Sequence, residues 1–153
     1  MSDHFLVVIP ADPNTSLPKD GGEALCSALR EMADSDECRV KSFDGSVRFV
    51  DCGENFESVS CPVCGATLDT EWWGDQMDHC WNAEERHFHL HPHALPCCGA
   101  SKDLSELVYE LPQGFATWFV SARNANRGPL TEAEVSALET IAGFKLTAIA
   151  QMY

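Results

Sequence analysis

The sequence predicts an α+β fold, specifically a ferredoxin-like sandwich with an inserted lobe. Two features of the 153-residue chain lead to this prediction. Elements predicted near the start follow the order β-α-β-β and those near the end the order β-α-β, which suits a ferredoxin-like sandwich. A segment at about residues 53–111 separates the two groups. A chain of 153 residues has the length of one ordinary domain. We therefore expect a single domain, residues 1–153, with the insertion at about 53–111.

The first group begins with a short apolar run at residues 5–9, which is typical of a strand buried on both faces. Apolar residues at helical spacing then predict a helix over about residues 22–34, with Asp20 as a cap. Two further strands are expected on either side of Asp44 and Gly45. Because Asp-Gly readily forms a tight turn, we expect these strands to pair as a hairpin.

The second group begins with a strand predicted at residues 115–120. Thr131 and Glu134 have the spacing of a capping box and therefore predict the start of a helix. Gly143 is expected to end that helix. Alternating residues from Leu146 onward then predict a closing strand.

The charge of the chain restricts its partners. It has 24 Asp and Glu against 10 Lys and Arg, which gives a formal net charge of −14. Residues 49–85 contain nine acids and no Lys or Arg. Because nucleic-acid binding depends largely on basic residues that neutralise phosphates, we expect no nucleic-acid partner. The acidic surface either keeps a cytosolic protein in solution or binds a basic protein partner.

The expected location is cytoplasmic. The first residues lack the basic start and apolar stretch of a signal peptide, and no apolar run is long enough to span a membrane, so we expect no membrane association. Eight cysteines are present in the chain. In a reducing cytosol, paired cysteines more often hold metal than form disulfides.

Four cysteines form the predicted metal site. Cys61 and Cys64 lie in the run Cys-Pro-Val-Cys-Gly, where both sulfurs can reach one ion and the glycine permits a turn that points amides at the thiolates. Cys97 and Cys98 follow in the run Pro-Cys-Cys-Gly. Together the four thiols predict a closed tetrahedral site, with Zn²⁺ as its ion, so that the insertion is a zinc-binding lobe. Iron remains an alternative.

The two cysteines of the second pair are adjacent, which leaves a second ligand set open. A histidine can replace one of them, and the candidates lie between the two cysteine pairs. They are His79, His87, His89, His91 and His93.

These cysteine runs resemble those of zinc-ribbon and rubredoxin-like proteins, over residues 61–65 and 97–99. A wider set of segments resembles a recurrent, uncharacterised bacterial protein type. That resemblance names no activity and implies only that the lobe and its surrounding sheet belong together. The segments are residues 55–57, the first cysteine run, Trp72-Trp73, Met77-Asp78, the Pro-Cys-Cys-Gly run, residues 104–109 and Gly114-Phe115.

The histidines at residues 87–93 form a row. Their alternation predicts four imidazoles on one side of an extended strand, which could bind a transition metal. The alternative function is therefore a small metalloenzyme that uses this row as an open metal site. The remaining cysteines are interpreted as structural thiols; these are Cys26, Cys38, Cys52 and Cys80.

An acidic segment around Trp72 and Trp73 is the predicted partner-binding surface, with Asp75 and Asp78 beside the indoles. The tryptophans could instead pack as the core of the lobe. No Ser-His-Asp order, phosphate loop or paired-carboxylate signature stands out, so the leading prediction is non-catalytic. A bacterial immunity protein, an inhibitor of a basic toxin, would fit this profile.

Overall fold

The structure is a computed structural model that describes residues 3–125 and 127–153. Within this part of the chain there are three α-helices: α1 (Glu23–Ala33), α2 (Thr70–Cys80) and α3 (Glu132–Ala142). The strands, in chain order, are β1 (His4–Pro10), β2 (Glu37–Ser42), β3 (Arg48–Val50), β4 (Ser58–Ser60), β5 (Trp81–Asn82), β6 (His87–Phe88), β7 (His93–Ala94), β8 (Ser101–Lys102), β9 (Val108–Glu110), β10 (Gly114–Ala116), β11 (Trp118–Arg123) and β12 (Leu146–Met152). The predicted α+β class is confirmed.

Four strands form the main sheet in the order β12-β1-β11-β2, and all neighbouring strands are antiparallel. The central strand β1 places Val8 between Val120 of β11 and Ala148 of β12. Residues 7–9 are almost fully buried. This confirms the prediction of a first strand covered on both faces.

One face of the main sheet is covered by α1 and α3. Buried residues of α1 recur at helical spacing, namely Leu25, Leu29 and Ala33, and α3 contributes Leu138. They pack against side chains on this face of the sheet, including Trp118. Burial of these apolar stripes is what holds the helices on the sheet.

The two helix starts differ from each other. Thr131 and Glu134 form the predicted capping box at α3, each side chain accepting from the other's backbone N–H. At α1 the N-cap is Gly22, and no side chain caps the helix directly. Asp20 lies just outside, where its carboxylate accepts from the N–H groups of Gly22 and Ala24. These hydrogen bonds hold the pKa of Asp20 below its usual value.

The predicted hairpin around Asp44 and Gly45 is wrong, although the turn itself exists. Both residues have positive φ, of 53° and 85°. However, β2 pairs with β11 in the main sheet, whereas β3 pairs with β10 in a separate ladder. The turn therefore passes the chain from one sheet to the next. The partners of both strands come from residues 114–123, which also form two strands and not the single one predicted.

The other face of the main sheet meets a second layer. Alternate residues of the sheet, such as Val7 and Ile149, pack here with Val50 and Cys52. The Cys52 thiol is fully buried, and its burial raises the pKa of that thiol. Its amide N–H donates to Gln113 Oε1 at 3.1 Å. Cys52 therefore belongs to this apolar layer, as predicted for a structural thiol.

Beyond this layer lies a lobe with its own apolar core. The core gathers residues from α2, from the short strands β4, β5, β6 and β9 and from flanking segments, since Val47 and Phe115 contribute to it. Its buried members are Val47, Val59, Cys61, Leu68, Cys80, Phe88, Leu95, Leu104, Leu107 and Phe115. Two short hairpins project from this core and carry the cysteine runs.

Candidate metal centre

Four cysteine side chains converge at one edge of the lobe. The sulfurs of Cys61, Cys64, Cys97 and Cys98 all lie within 4.8 Å of one another. The Sγ atoms of Cys61 and Cys98 are 3.7 Å apart. An ion bound tetrahedrally at the usual zinc–sulfur distance of about 2.3 Å places its sulfurs about 3.8 Å apart. This group of thiols could therefore hold a metal ion.

The first cysteine run forms a tight turn after β4. The N–H of Cys61 donates to Ala66 O at 2.9 Å, and the N–H of Gly65 donates back to Cys61 O at 3.1 Å. Gly65 has a φ of 75°, which favours glycine. The amides of Val63 and Cys64 donate to Cys61 Sγ at 3.3 and 3.4 Å. The turn thus points amides at the thiolate, as predicted.

The second cysteine run forms the same turn after β7. Here the N–H of Leu95 donates to Ala100 O and the N–H of Gly99 donates to Leu95 O, both at 2.9 Å. Gly99 has a φ of 76°. The six residues 95–100 therefore match residues 61–66 position by position. Even the pattern of burial is repeated, because only the first residue of each turn is buried.

This match explains the adjacent cysteines of the second pair. Cys98 occupies the position of Cys64, immediately before the glycine. The position of Cys61 is taken by Leu95, whose side chain is buried in the lobe core. Cys97 occupies the position of the exposed Val63, yet its sulfur still lies within the group. The fourth thiol is thus supplied from a neighbouring position of the turn.

Cys61 and Cys97 differ in how readily their thiols lose a proton. Hydrogen bonds from the amides of Cys64 and Val63, which outweigh burial, lower the pKa of Cys61 to about 6. Partial desolvation among the converging side chains, followed by hydrogen bonding with the neighbouring thiols, raises the pKa of Cys97 to about 12. Cys61 therefore becomes a thiolate at lower pH than Cys97, and thiolates are the form that binds metal. A bound cation would favour deprotonation of the remaining thiols.

The histidine row does not form the single strand that its alternation predicts. The described strands in this stretch are β6 and β7, and residues 89–92 between them are irregular. His87 Nδ1 accepts from the N–H of Val47 at 2.7 Å. His89 Nε2 lies 3.0 Å from the Glu85 carboxylate. Among the described residues, no histidine belongs to the four-cysteine group.

The other two histidines meet a cysteine that sequence reasoning treated as structural. The donor atoms of Cys80, His91 and His93 lie within 4.8 Å of one another. Burial raises the pKa of the Cys80 thiol. Burial, followed by the neighbouring imidazoles of His91 and His79, lowers the pKa of His93. Two short strands and a turn lie between Cys80 and these histidines. In the sequence, the alternation of His91 and His93 was therefore the only indication of this group.

The predicted partner-binding residues divide between core and surface. Trp73 donates its indole N–H to Tyr109 Oη at 3.2 Å and stacks on Phe56, with ring centroids 5.3 Å apart. Trp72 also packs against the lobe core, and both indoles are half-buried. Asp75 and Asp78 are exposed on the outer side of α2. The acids face solvent, and the indoles pack largely within the lobe.

Comparison of the chain with protein families, curated proteins and solved structures finds no match. No family is therefore identified for the chain. The helices within residues 3–125 and 127–153 are all too short or too polar to cross a bilayer.

Proposed function

We propose that the chain is a non-catalytic zinc-binding protein that binds a basic protein partner through an acidic, tryptophan-bearing surface on α2. The observation that carries the zinc assignment is the convergence of four thiols with a sulfur–sulfur distance of 3.7 Å. A site of four thiolates has no ligand position free for a substrate. Its role is to join two hairpins that are distant in sequence.

Zinc is favoured over iron because it is the usual ion of closed cysteine sites. Zinc adds no redox chemistry and needs only tetrahedral geometry, which the four sulfurs approach. Iron bound by the same four cysteines would give the purified protein a visible colour. Elemental analysis of the protein therefore separates the two ions, with about one zinc per chain expected at this site.

The scaffold we propose is a ferredoxin-like sandwich with the zinc-binding lobe inserted at about residues 53–111. Support comes from the succession β1-α1-β2 before the lobe and β11-α3-β12 after it. The sheet order β12-β1-β11-β2, antiparallel throughout, is also compatible with that topology. In this arrangement the sheet supports the lobe, and the lobe carries the functional surface.

The partner surface is supported by charge and shape. Trp72, Asp75 and Asp78 recur three residues apart on α2 and therefore share one side of the helix. Asp78 also lines a shallow groove of about 520 Å³, together with Met77, one basic residue (Arg48) and aromatic side chains such as Trp81. Partly exposed aromatics beside acids suit a basic protein partner, since acids attract it and aromatics anchor it. An inhibitor of a basic toxin has this combination.

Pull-down from the native host, followed by charge reversal, tests the partner surface. The variant Asp75→Lys with Asp78→Lys should weaken a recovered complex at least about tenfold. Its matched control is Glu31→Lys with Asp36→Lys, two exposed acids near the far end of α1 that change the net charge equally. Equal effects of both variants, or recovery of no partner, would contradict the proposed surface.

A further inference from the structure

A second group of metal-binding side chains lies on the lobe, and it shares no residue with the four-cysteine group. Cys80 Sγ lies 3.5 Å from His93 Nε2, and a ring nitrogen of His91 completes a set of three donors within 4.8 Å of one another. For an ion bound at about 2.3 Å from sulfur and about 2.0 Å from nitrogen, tetrahedral geometry requires a sulfur–nitrogen distance of about 3.5 Å. The observed distance fits.

The backbone explains why these three side chains meet. Cys80 is the last residue of α2, and its carbonyl accepts from the N–H of His89 at 2.8 Å. This hydrogen bond brings the following segment alongside the end of the helix. His91 lies in the irregular stretch before β7 and His93 is the first residue of β7, so the two rings lie close together in the chain. Their ring centroids are 4.3 Å apart.

The two ends of the group differ in their exposure to solvent. Cys80 is buried, with 2% of its surface exposed, whereas His91 is exposed. The imidazole of His79 lies beside both histidine rings, at 5.8 Å between centroids, but it does not belong to the set of three donors. A metal ion held here would thus be anchored on the protein side by sulfur and would face solvent beyond His91.

We propose that Cys80, His91 and His93 form a second metal site, which takes zinc through one thiolate and two imidazoles and leaves its fourth position open to water or a small anion. Sulfur and nitrogen donors select zinc over magnesium or calcium. Three protein ligands with one open position are the arrangement of zinc sites that bind exogenous ligands. This site would therefore differ in kind from the closed four-cysteine site.

Titration of the metal-free full chain with Zn²⁺, in competition with a chromophoric chelator, tests the site. The unchanged protein should bind two equivalents. His91→Ala should lower the zinc affinity of one equivalent by more than about 100-fold. Loss of a residue that only hydrogen-bonds a ligand already lowers metal affinity by about 10–100-fold, and His91 is itself a proposed ligand. The matched control is His89→Ala, another exposed histidine of the same run, which should change neither affinity more than about threefold.

The outcomes separate this site from the four-cysteine site. His91→Ala should retain the equivalent that Cys98→Ser removes, which also shows that the variant is folded. A single equivalent in the unchanged protein would overturn the second site. So would an equal loss in His89→Ala and His91→Ala, because that result indicates general binding by a histidine-rich segment.

Azide binding to the Co²⁺-loaded chain tests whether the fourth position of this site is open. In the Co²⁺-loaded chain, azide should shift the visible absorption of the unchanged protein and of His89→Ala. It should not shift the absorption of His91→Ala, in which only the closed site is filled. An azide-insensitive spectrum in the unchanged protein, with two Co²⁺ bound, would overturn the open fourth position.

Discussion

Leu95 holds, in the second cysteine turn, the position that Cys61 holds in the first. Both residues are 2% exposed, and both accept from the amide of the glycine four residues later. The second turn therefore has the same backbone hydrogen bonds as the first, while its first position has an apolar side chain. Its missing thiol is replaced by Cys97, two residues further along.

This relationship predicts that the ligand can be moved. Cys97→Val alone should weaken zinc binding at the four-cysteine site by more than about 100-fold, because a direct ligand is lost. Adding Leu95→Cys to Cys97→Val makes the second turn equivalent to the first and should restore the affinity to within about tenfold. Chelator competition measures both.

Leu95→Cys alone is the control, since it keeps all four original thiols and should bind zinc normally. If the double variant bound zinc no better than Cys97→Val, the equivalence of the two turns would not extend to their ligand geometry.

Removal of metal should loosen the lobe and spare the main sheet. The turn amides of Cys61, Gly65, Leu95 and Gly99 are held by hydrogen bonds within the two cysteine turns. Without an ion to join the hairpins, these amides should exchange with deuterium much faster. Amides of β1 should remain protected, because that strand is central in the main sheet. Hydrogen-exchange mass spectrometry with and without a chelator measures both regions.

Loss of protection throughout the chain on chelation would contradict a supporting role for the metal. Unchanged exchange in the two turns would show that the hairpins do not need an ion.

The pKa of Cys61, near 6, predicts a pH-dependent thiolate in the metal-free protein. Ultraviolet absorbance of thiolate should rise by one equivalent as the pH passes through about 6, and Cys61→Ala should remove this step. The unfolded thiol has an ordinary pKa of about 8.5, so the unfolded chain binds this proton over a higher pH range. The contribution of Cys61 to the free energy of unfolding should therefore rise with pH between about 6 and 8.5, and this contribution should be lost as the pH falls through about 6. Absence of a Cys61-dependent step near 6 would contradict the amide hydrogen bonds to Cys61 Sγ.

The capping box at α3 provides a test of the fold away from the metal. Thr131→Ala removes the hydroxyl that accepts from the N–H of Glu134 and should lower the free energy of unfolding by about 1 kcal/mol. Thr140→Ala, an exposed threonine in the same helix, is the matched control and should change it by less than about 0.5 kcal/mol. Urea unfolding measures both, and equal effects would contradict the cap.

Local patterns in the sequence predicted what local interactions determine. The glycine-ended cysteine turns, the capping box and the buried first strand each depend on residues within a few positions of one another. Strand pairing depends on distant segments, and for this reason the Asp44-Gly45 turn was foreseeable while the partners of β2 and β3 were not. Both strands pair with residues 114–123.

The same limit applies to the side-chain clusters. Cys61 and Cys98 could be connected because each lies in a recognisable turn. Cys80 lies in no such pattern, and its proximity to His93 depends on where α2 ends and how the chain returns. The packing of Trp73 in the lobe likewise depends on contacts with Tyr109 and Phe56, which are distant from it in the sequence.

The zinc content of the purified full chain tests most directly whether the four-cysteine group binds zinc. It is compared with the zinc content of the variant that combines Cys61→Ser with Cys98→Ser. We expect the double variant to lose one zinc per chain, whatever is bound at Cys80, His91 and His93. The same zinc content in both proteins, or iron in place of zinc, would contradict this expectation.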